Sequence, residues 1–180
     1  GAVFLDADNN GWQDLVVTNG YPTGHPPDRA TPEFYIADGR IDRTRFFLHD
    51  STRFSEVGES WGITDIGLGR GVAAFDYDND GDEDVILSNL HDVASPFRPW
   101  ILYRNDAPNS QNNWLRIQFE GTASNRDGYG TRVELSASSG EQTALYAPTN
   151  SYIGQREPYL HFGLGDANRV DQLRVMWPGG

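Results

Sequence analysis

The chain carries two acidic stretches of nine residues, DADNNGWQD at 6–14 and DYDNDGDED at 76–84. Both follow the spacing D-x-[DN]-x-[DN]-G-x-x-D, and they lie 70 residues apart. Short apolar segments flank them, namely Val3–Leu5 and Leu15–Thr18 around the first and Val72–Phe75 and Val85–Ser88 around the second. Such segments favour β-strands, so each acidic stretch is predicted to be a loop between two strands.

Each acidic stretch is predicted to bind one calcium ion. A hard cation that takes about six or seven oxygen ligands needs carboxylates and amides at close spacing, and calcium accepts irregular geometry. Glycine at the sixth position permits the positive-φ turn that wraps the loop around the ion. The predicted side-chain ligands are Asp6, Asp8, Asn10 and Asp14 in the first loop and Asp76, Asp78, Asp80 and Asp84 in the second, with the backbone carbonyls of Trp12 and Asp82 completing the two sets.

Clusters of Asp, Asn and Gly also form ordinary turns, and the charge density distinguishes the two interpretations. The second stretch holds five Asp and one Glu within nine residues. Without a cation their mutual repulsion would cost several kcal/mol even after screening. Recurrence of the same spacing further favours metal binding.

Other acidic motifs fit less well. An EF-hand needs an acid at position 12 and helices on both sides, whereas that position is Val17 or Leu87. A phosphatase D-x-D motif occurs once in a parallel α/β domain, usually near a Lys, whereas this chain has two loops and no Lys. A glycosidase needs a carboxyl group that stays protonated, and carboxylates around a cation are held ionised. No catalytic or organic-cofactor residues are predicted, and the chain is not expected to be an enzyme.

Composition limits the partners. The net charge is −12 and all 14 basic residues are Arg, so nucleic acid and anionic membranes are not expected partners. No apolar run approaches the roughly 18 residues that span a bilayer. The absence of Cys excludes disulfides and thiolate metal sites.

An all-β fold is predicted, because strand patterns and 30 Gly and Pro residues dominate the chain. A polar segment after Asn105 suggests a boundary near residue 108, dividing the chain into domains 1–107 and 108–180, and a Pro-rich insertion is expected at 21–32. In one strand the alternation predicts that Leu115, Ile117 and Phe119 are buried, and that Arg116, Gln118 and Glu120 are exposed to solvent. The further predicted strands are Phe46–His49, Ile101–Arg104, Trp114–Glu120, Arg132–Ser136, Thr143–Tyr146, Tyr159–Phe162 and Gln172–Trp177.

Two resemblances follow from these motifs. The repeated strand–loop–strand unit resembles the FG-GAP/VCBS repeats of integrin-α-type β-propellers. The second half resembles the ASPIC/UnbV domain, the C-terminal module of the cartilage-acidic-protein-like family and its bacterial relatives. That resemblance is carried by NWL at 113–115, SNRDGYGTRV at 124–133, LHFGLG at 160–165 and VDQLRVMWP at 170–178.

The resemblances imply partial propeller blades, about two repeats, followed by a small β-sandwich-like domain. They imply a secreted, periplasmic or cell-surface protein, and the chain is expected to be a piece of a longer one. The expected function is non-catalytic protein–protein interaction or adhesion, with calcium rigidifying the blade loops and further blades or a protein partner covering the open sheet edges. A calcium-dependent lectin is the alternative, because Trp12, Tyr77 and Trp100 could stack on sugars. An accessory biosynthetic enzyme is the least favoured hypothesis.

Overall fold

The computed structural model describes residues 1–19, 43–67, 69–89, 99–106, 112–149, 151–152 and 154–179. These residues form twelve strands and no helix, which confirms the all-β prediction. In this part of the chain there is accordingly no helix that could cross a membrane. The predicted insertion at 21–32 and the boundary at residue 108 lie outside the described residues.

The first sheet is an antiparallel meander of four strands in chain order. The strands are β1 (Ala2–Leu5), β2 (Asp14–Val17), β3 (Arg45–His49) and β4 (Phe54–Glu56). The sequence did not predict β4, which has only three residues and therefore almost no alternation to detect. Its partner β3 positions it through the pairing of His49 with Phe54 across a short turn.

The second sheet repeats the first three strands of that meander. It contains β5 (Gly69–Phe75), β6 (Asp84–Asn89) and β7 (Trp100–Tyr103). Leu5 pairs with Asp14 at the end of β1, and Phe75 pairs with Asp84 at the end of β5. The two acidic stretches are therefore hairpin loops at equivalent places in two sheets.

These two sheets pack face to face, and we call them the N-terminal sheet pair (β1–β7). Alternate residues of each strand face the partner sheet, as expected for the period of two in a pleated strand. The buried apolar residues between the sheets include Val3, Leu5, Val16 and Phe46 from the first and Val72, Val85 and Leu87 from the second.

The remaining strands form a second stack, the C-terminal sheet pair (β8–β12). One sheet has the order β10-β9-β12 and the other pairs β11 with β8, all antiparallel. Their own apolar cluster includes Val133, Leu135, Tyr146, Leu160 and Phe162. The strands are β8 (Asn113–Gln118), β9 (Arg132–Ala137), β10 (Gly140–Leu145), β11 (Tyr159–Gly165) and β12 (Val170–Met176).

One expectation for β8 is wrong. Leu115 and Ile117 face the apolar cluster as predicted, but Arg116 on the opposite face is not solvated. Its guanidinium carbon lies 4.7 Å from the ring centre of Tyr159 and 5.4 Å from that of Trp114. Around Arg116 the outer face of β8 is covered, because Asp76 of the second acidic loop lies against it.

Candidate metal centres

The first acidic loop gathers three carboxylates. Asp6 follows β1 and Asp14 begins β2, so the pairing of these strands brings the two ends of the loop together. One oxygen from each of Asp6, Asp8 and Asp14 lies within 4.8 Å of the others. Asp6 and Asp14 are buried and Asp8 is half-buried. The cluster could hold a metal ion that is largely withdrawn from solvent.

The second acidic loop gathers the equivalent residues. Oxygens of Asp76, Asp78 and Asp84 lie within 4.8 Å of one another. Asp76 and Asp84 are buried, whereas Asp78 is exposed. In both loops the carboxylates at positions 1, 3 and 9 therefore converge, and these are three of the four side chains in each predicted ligand set.

Both loops adopt the same unusual backbone conformation. Asn9 and Asn79 have φ of 56° and 63°, and Gly11 and Gly81 have φ of 90° and 97°. Asn and Gly are the residues that accept the left-handed region at least cost. Residue type at positions 4 and 6 thus permits the wrapped loop at little cost in backbone strain.

The first carboxylate of each loop fixes that conformation from within. It accepts two backbone N–H groups of the same loop, and such bonds to a charged acceptor are among the stronger hydrogen bonds. The donors are Asn10 N at 2.9 Å and Gly11 N at 2.8 Å for Asp6, and Asp80 N at 3.1 Å and Gly81 N at 2.8 Å for Asp76.

The last carboxylate of each loop ties it to its own sheet. One donor is the residue after the first Asp, and the other lies at or just beyond the end of the third strand. The donors are Ala7 N at 2.8 Å and His49 N at 2.7 Å for Asp14, and Tyr77 N at 2.9 Å and Asn105 N at 2.7 Å for Asp84. The repeat therefore extends beyond the motif to the strand that follows.

The predicted side-chain ligands at position 5 accept backbone N–H groups of their own loops. Oδ1 of Asn10 accepts the Trp12 N–H at 2.7 Å, and Oδ1 of Asp80 accepts the Asp82 N–H at 3.0 Å. These bonds orient the position-5 side chains toward the backbone of their own loops. The predicted backbone ligands Trp12 and Asp82 remain predictions.

Burial makes the first cluster electrostatically unfavourable without a counter-charge. It raises the pKa of Asp6 to about 8 and that of Asp14 to about 7, with smaller contributions from neighbouring carboxylates. In the second loop burial, together with Asp80 and Asp76, raises the pKa of Asp82 to about 6. Desolvation disfavours the charged form of each group. A bound cation would reverse that preference.

The two loops are joined to each other by buried polar contacts that the sequence analysis missed. Glu83 accepts the Asp6 N–H at 3.0 Å. Nδ2 of Asn9 donates to Asp82 at 2.8 Å, and Nδ2 of Asn105 donates to the carbonyl of Ala7 at 2.7 Å. The sequence holds one indication that Glu83 has a separate role. Loop position 8 is acidic Glu83 in the second loop, whereas it is neutral Gln13 in the first.

The outer surface of the loops contacts the C-terminal sheet pair. Since Nδ2 of Asn9 donates to Asp82, its Oδ1 is an acceptor, and Nε2 of His161 lies 2.6 Å from it. Arg116 forms an ion pair with Asp76. The candidate metal centres thus lie at the junction of the two sheet pairs and not at a free edge.

Comparison with known proteins supports the resemblance of the second half. Residues 121–180 match the family model described as ASPIC and UnbV. Over 115 residues the chain is 33% identical to cartilage acidic protein 1 of Xenopus tropicalis, and over 133 residues it is 30% identical to the human protein of that name. The ASPIC/UnbV part of the predicted resemblance is therefore confirmed, and the FG-GAP/VCBS part stays a prediction.

The matches cover most of this chain and little of the relatives. They include 63% of the chain and 17% of the Xenopus protein, and 73% of the chain and 19% of the human protein. The chain thus corresponds to about a fifth of the length of the curated relatives it matches. Matches of 115 and 133 residues in a chain of 180 are long enough that each includes residues of both sheet pairs.

Proposed function

We propose that the chain is a non-catalytic, calcium-binding part of an extracellular interaction module, in which each acidic loop holds one calcium ion. The observation that carries the proposal is the structural repeat. Two loops 70 residues apart have the same backbone conformation and hydrogen bonds, and each gathers carboxylates from positions 1, 3 and 9.

The donor atoms favour calcium over other metals. Both clusters consist of carboxylate oxygens, the ligands of hard cations, whereas zinc and copper sites generally use His or Cys. Magnesium requires near-ideal octahedral geometry and keeps several waters. The proposed ligand sets remain those of the sequence prediction, with Asn10 and Asp80 joining the three carboxylates and Trp12 and Asp82 contributing backbone oxygen.

The proposed role of the ions is structural. Buried carboxylates with raised pKa values, such as Asp6 and Asp14, oppose folding when they ionise at neutral pH. A cation that binds only the folded loop stabilises the folded state by mass action. Carboxylates committed to a cation are also poor general acids, which supports a non-catalytic role.

The interaction role is supported by apolar surface on the sheets. Phe4, Leu15 and Phe47 are in register across β1, β2 and β3 on the face directed away from the N-terminal core, and Phe4 is 51% exposed. We propose that the two N-terminal sheets are propeller blades and that further blades or a protein partner cover this face. Similarity to a protein named for cartilage supports an extracellular location.

A lectin-like activity is the second candidate, and an aromatic array favours it. Trp12 meets His49 edge-on at 5.5 Å, and His49 stacks on Phe54 at 4.4 Å. These rings line a groove of about 490 Å³ whose other wall includes Glu141 and Gln142. Exposed aromatic rings beside polar side chains could accept a sugar. Binding to a glycan array that is lost both in chelator and in Trp12→Ala would favour this candidate over protein binding.

Calcium titration of the decalcified chain tests the main proposal. Isothermal titration should find two sites, and Asp6→Asn and Asp76→Asn should each leave one. Asp166→Asn is the matched control, because Asp166 is an exposed acid outside both loops and should keep both sites. Absence of binding, or two unchanged sites in both loop variants, would refute the assignment.

A further inference from the structure

We propose that the two acidic loops form the docking surface for the C-terminal sheet pair, and that calcium binding to these loops stabilises this junction. The inference rests on the proposed function but adds a different role for the ions. They would determine how the two halves of the chain are held together, in addition to rigidifying each hairpin.

The first loop docks on β11. The Gly165 N–H donates to the carbonyl of Asn9 at 2.8 Å, and His161 bonds the Asn9 side chain. Between them lies Gly163, where a Cβ would overlap the carboxylate of Asp6 and the backbone of Asn9. The strand backbone therefore reaches the proposed metal ligand itself, an approach that only glycine allows.

The second loop docks on β8. The indole of Trp114 lies directly against Gly81, where a Cβ would overlap the ring. Arg116, two residues further on, pairs with Asp76 while it stacks on Tyr159. Arg116 has only 17% of its side chain exposed, so this is a desolvated contact to a proposed metal ligand.

The two docking points belong to one small sheet. Gly163 of β11 and Trp114 of β8 are direct partners across that sheet, and each touches a different acidic loop. A third contact comes from Asn112, just before β8, whose Nδ2 donates to the carbonyl of Asp8 at 2.7 Å. The β8–β11 sheet thus contacts both loops at once.

The contacts depend on the wrapped shape of the loops. The carbonyls of Asp8 and Asn9 that accept these bonds lie between the proposed ligands Asp6 and Asn10, where the backbone passes through positive φ at Asn9. A cation at the ligands would hold that turn, whereas repulsion among buried carboxylates would open it. Binding and docking are then linked, and each should strengthen the other by the same factor.

Comparison of the two loops shows whether the loop motif or the docking contact buries the residue at position 4. Asn9 and Asn79 occupy the same loop position with nearly the same φ. Asn9 is fully buried at the junction, whereas Asn79 is exposed. The motif alone therefore does not bury this position. The contact with β11 and the neighbouring loop does.

Distance measurement between the two sheet pairs tests the proposal. The chain has no Cys, so Thr64→Cys and Ser138→Cys, both at exposed positions, place one spin label on each sheet pair. Double electron–electron resonance should give a narrow distance distribution in calcium and a broad one after decalcification. An unchanged distribution in a chain that titration shows to bind calcium would overturn the inference and leave the proposed function intact. Absence of calcium binding would remove both.

A variant of the docking surface provides the reciprocal test. Trp114→Ala removes the ring on Gly81 without touching a proposed ligand, and it should weaken calcium binding roughly tenfold and broaden the distance distribution in calcium. Trp100→Ala is the control, because Trp100 is 67% exposed on β7. Equal calcium affinity in the two variants and the unmodified chain would contradict the coupling.

Discussion

Oδ1 of Asn9 lies 2.6 Å from Nε2 of His161, a residue 152 positions further along the chain. The Nδ2 group of the same Asn9 side chain donates to Asp82 in the other acidic loop. One amide therefore connects both loops and the C-terminal sheet pair. Since Asn9 is itself held at positive φ within a candidate metal loop, the conformation of that loop and the junction are not independent.

This relationship predicts an unequal effect of two matched substitutions. Asn9→Ala and Asn79→Ala both place Ala at a positive φ, which costs about 1 kcal/mol at either position. Only Asn9→Ala also leaves Asp82 and His161 without their partner. Its free energy of unfolding should fall by about 2 kcal/mol more than that of Asn79→Ala in urea denaturation with calcium. Equal losses would argue against a structural role for the Asn9 contacts.

The loop glycines allow a second matched comparison. Gly11 and Gly81 have similar φ, so substitution by Ala strains both. At Gly81 the added methyl also overlaps the Trp114 indole, whereas at Gly11 the nearest atom belongs to the flexible side chain of Gln142. Gly81→Ala should destabilise the chain by about 1–3 kcal/mol more than Gly11→Ala. Thermal denaturation in calcium would measure the difference, and a larger effect at Gly11 would contradict it.

Removal of two predicted ligands from one loop should abolish one calcium site. Asp76→Ala combined with Asp80→Ala is expected to bind one calcium ion in place of two, since the first loop is unchanged. The melting temperature in calcium should also fall, because binding to the folded state contributes to its stability. Titration that still finds two sites, with an unchanged melting temperature, would refute the ligand assignment.

Stabilisation by calcium should increase with pH. Burial raises the pKa of Asp6 to about 8 and that of Asp14 to about 7, above an unfolded value of about 3.9. In the cation-free chain these groups favour folding fully only below about pH 3.9, and that contribution is lost progressively as the pH rises from there to about 7 for Asp14 and about 8 for Asp6. Calcium needs the ionised form. The increase in melting temperature on adding calcium to decalcified chain should therefore be small at pH 5 and large at pH 8. A constant or declining increase would contradict this expectation.

The sequence predicted what depends on local pattern. Short apolar segments identified eleven of the described strands to within a few residues of their observed ends. The spacing of Asp and Gly predicted ligand sets that include the three carboxylates gathered in each loop, and the other members of those sets stay predictions. These features are determined by the pleat of a strand and by the φ values open to Asn and Gly. Residues within one hairpin are enough to specify them.

The contacts between distant segments could not be predicted in the same way. Glu83 reaches Asp6 across 77 positions, and Asn105 reaches Ala7 across 98. Arg116 looked like a solvated residue because its strand alternates, and its burial comes from Asp76 of the acidic loop together with the rings of Trp114 and Tyr159. Such contacts depend on how two sheet pairs meet, which no periodicity within a segment encodes.

Each acidic loop is expected to hold a calcium ion, and the positions of the two ions can be measured directly. Crystals of the calcium-loaded chain, recorded at a long wavelength where calcium scatters anomalously, would position the ions without reference to any variant. Two anomalous peaks are expected, one among Asp6, Asp8 and Asp14 and one among Asp76, Asp78 and Asp84. A map with peaks only elsewhere, or with none at saturating calcium, would contradict it.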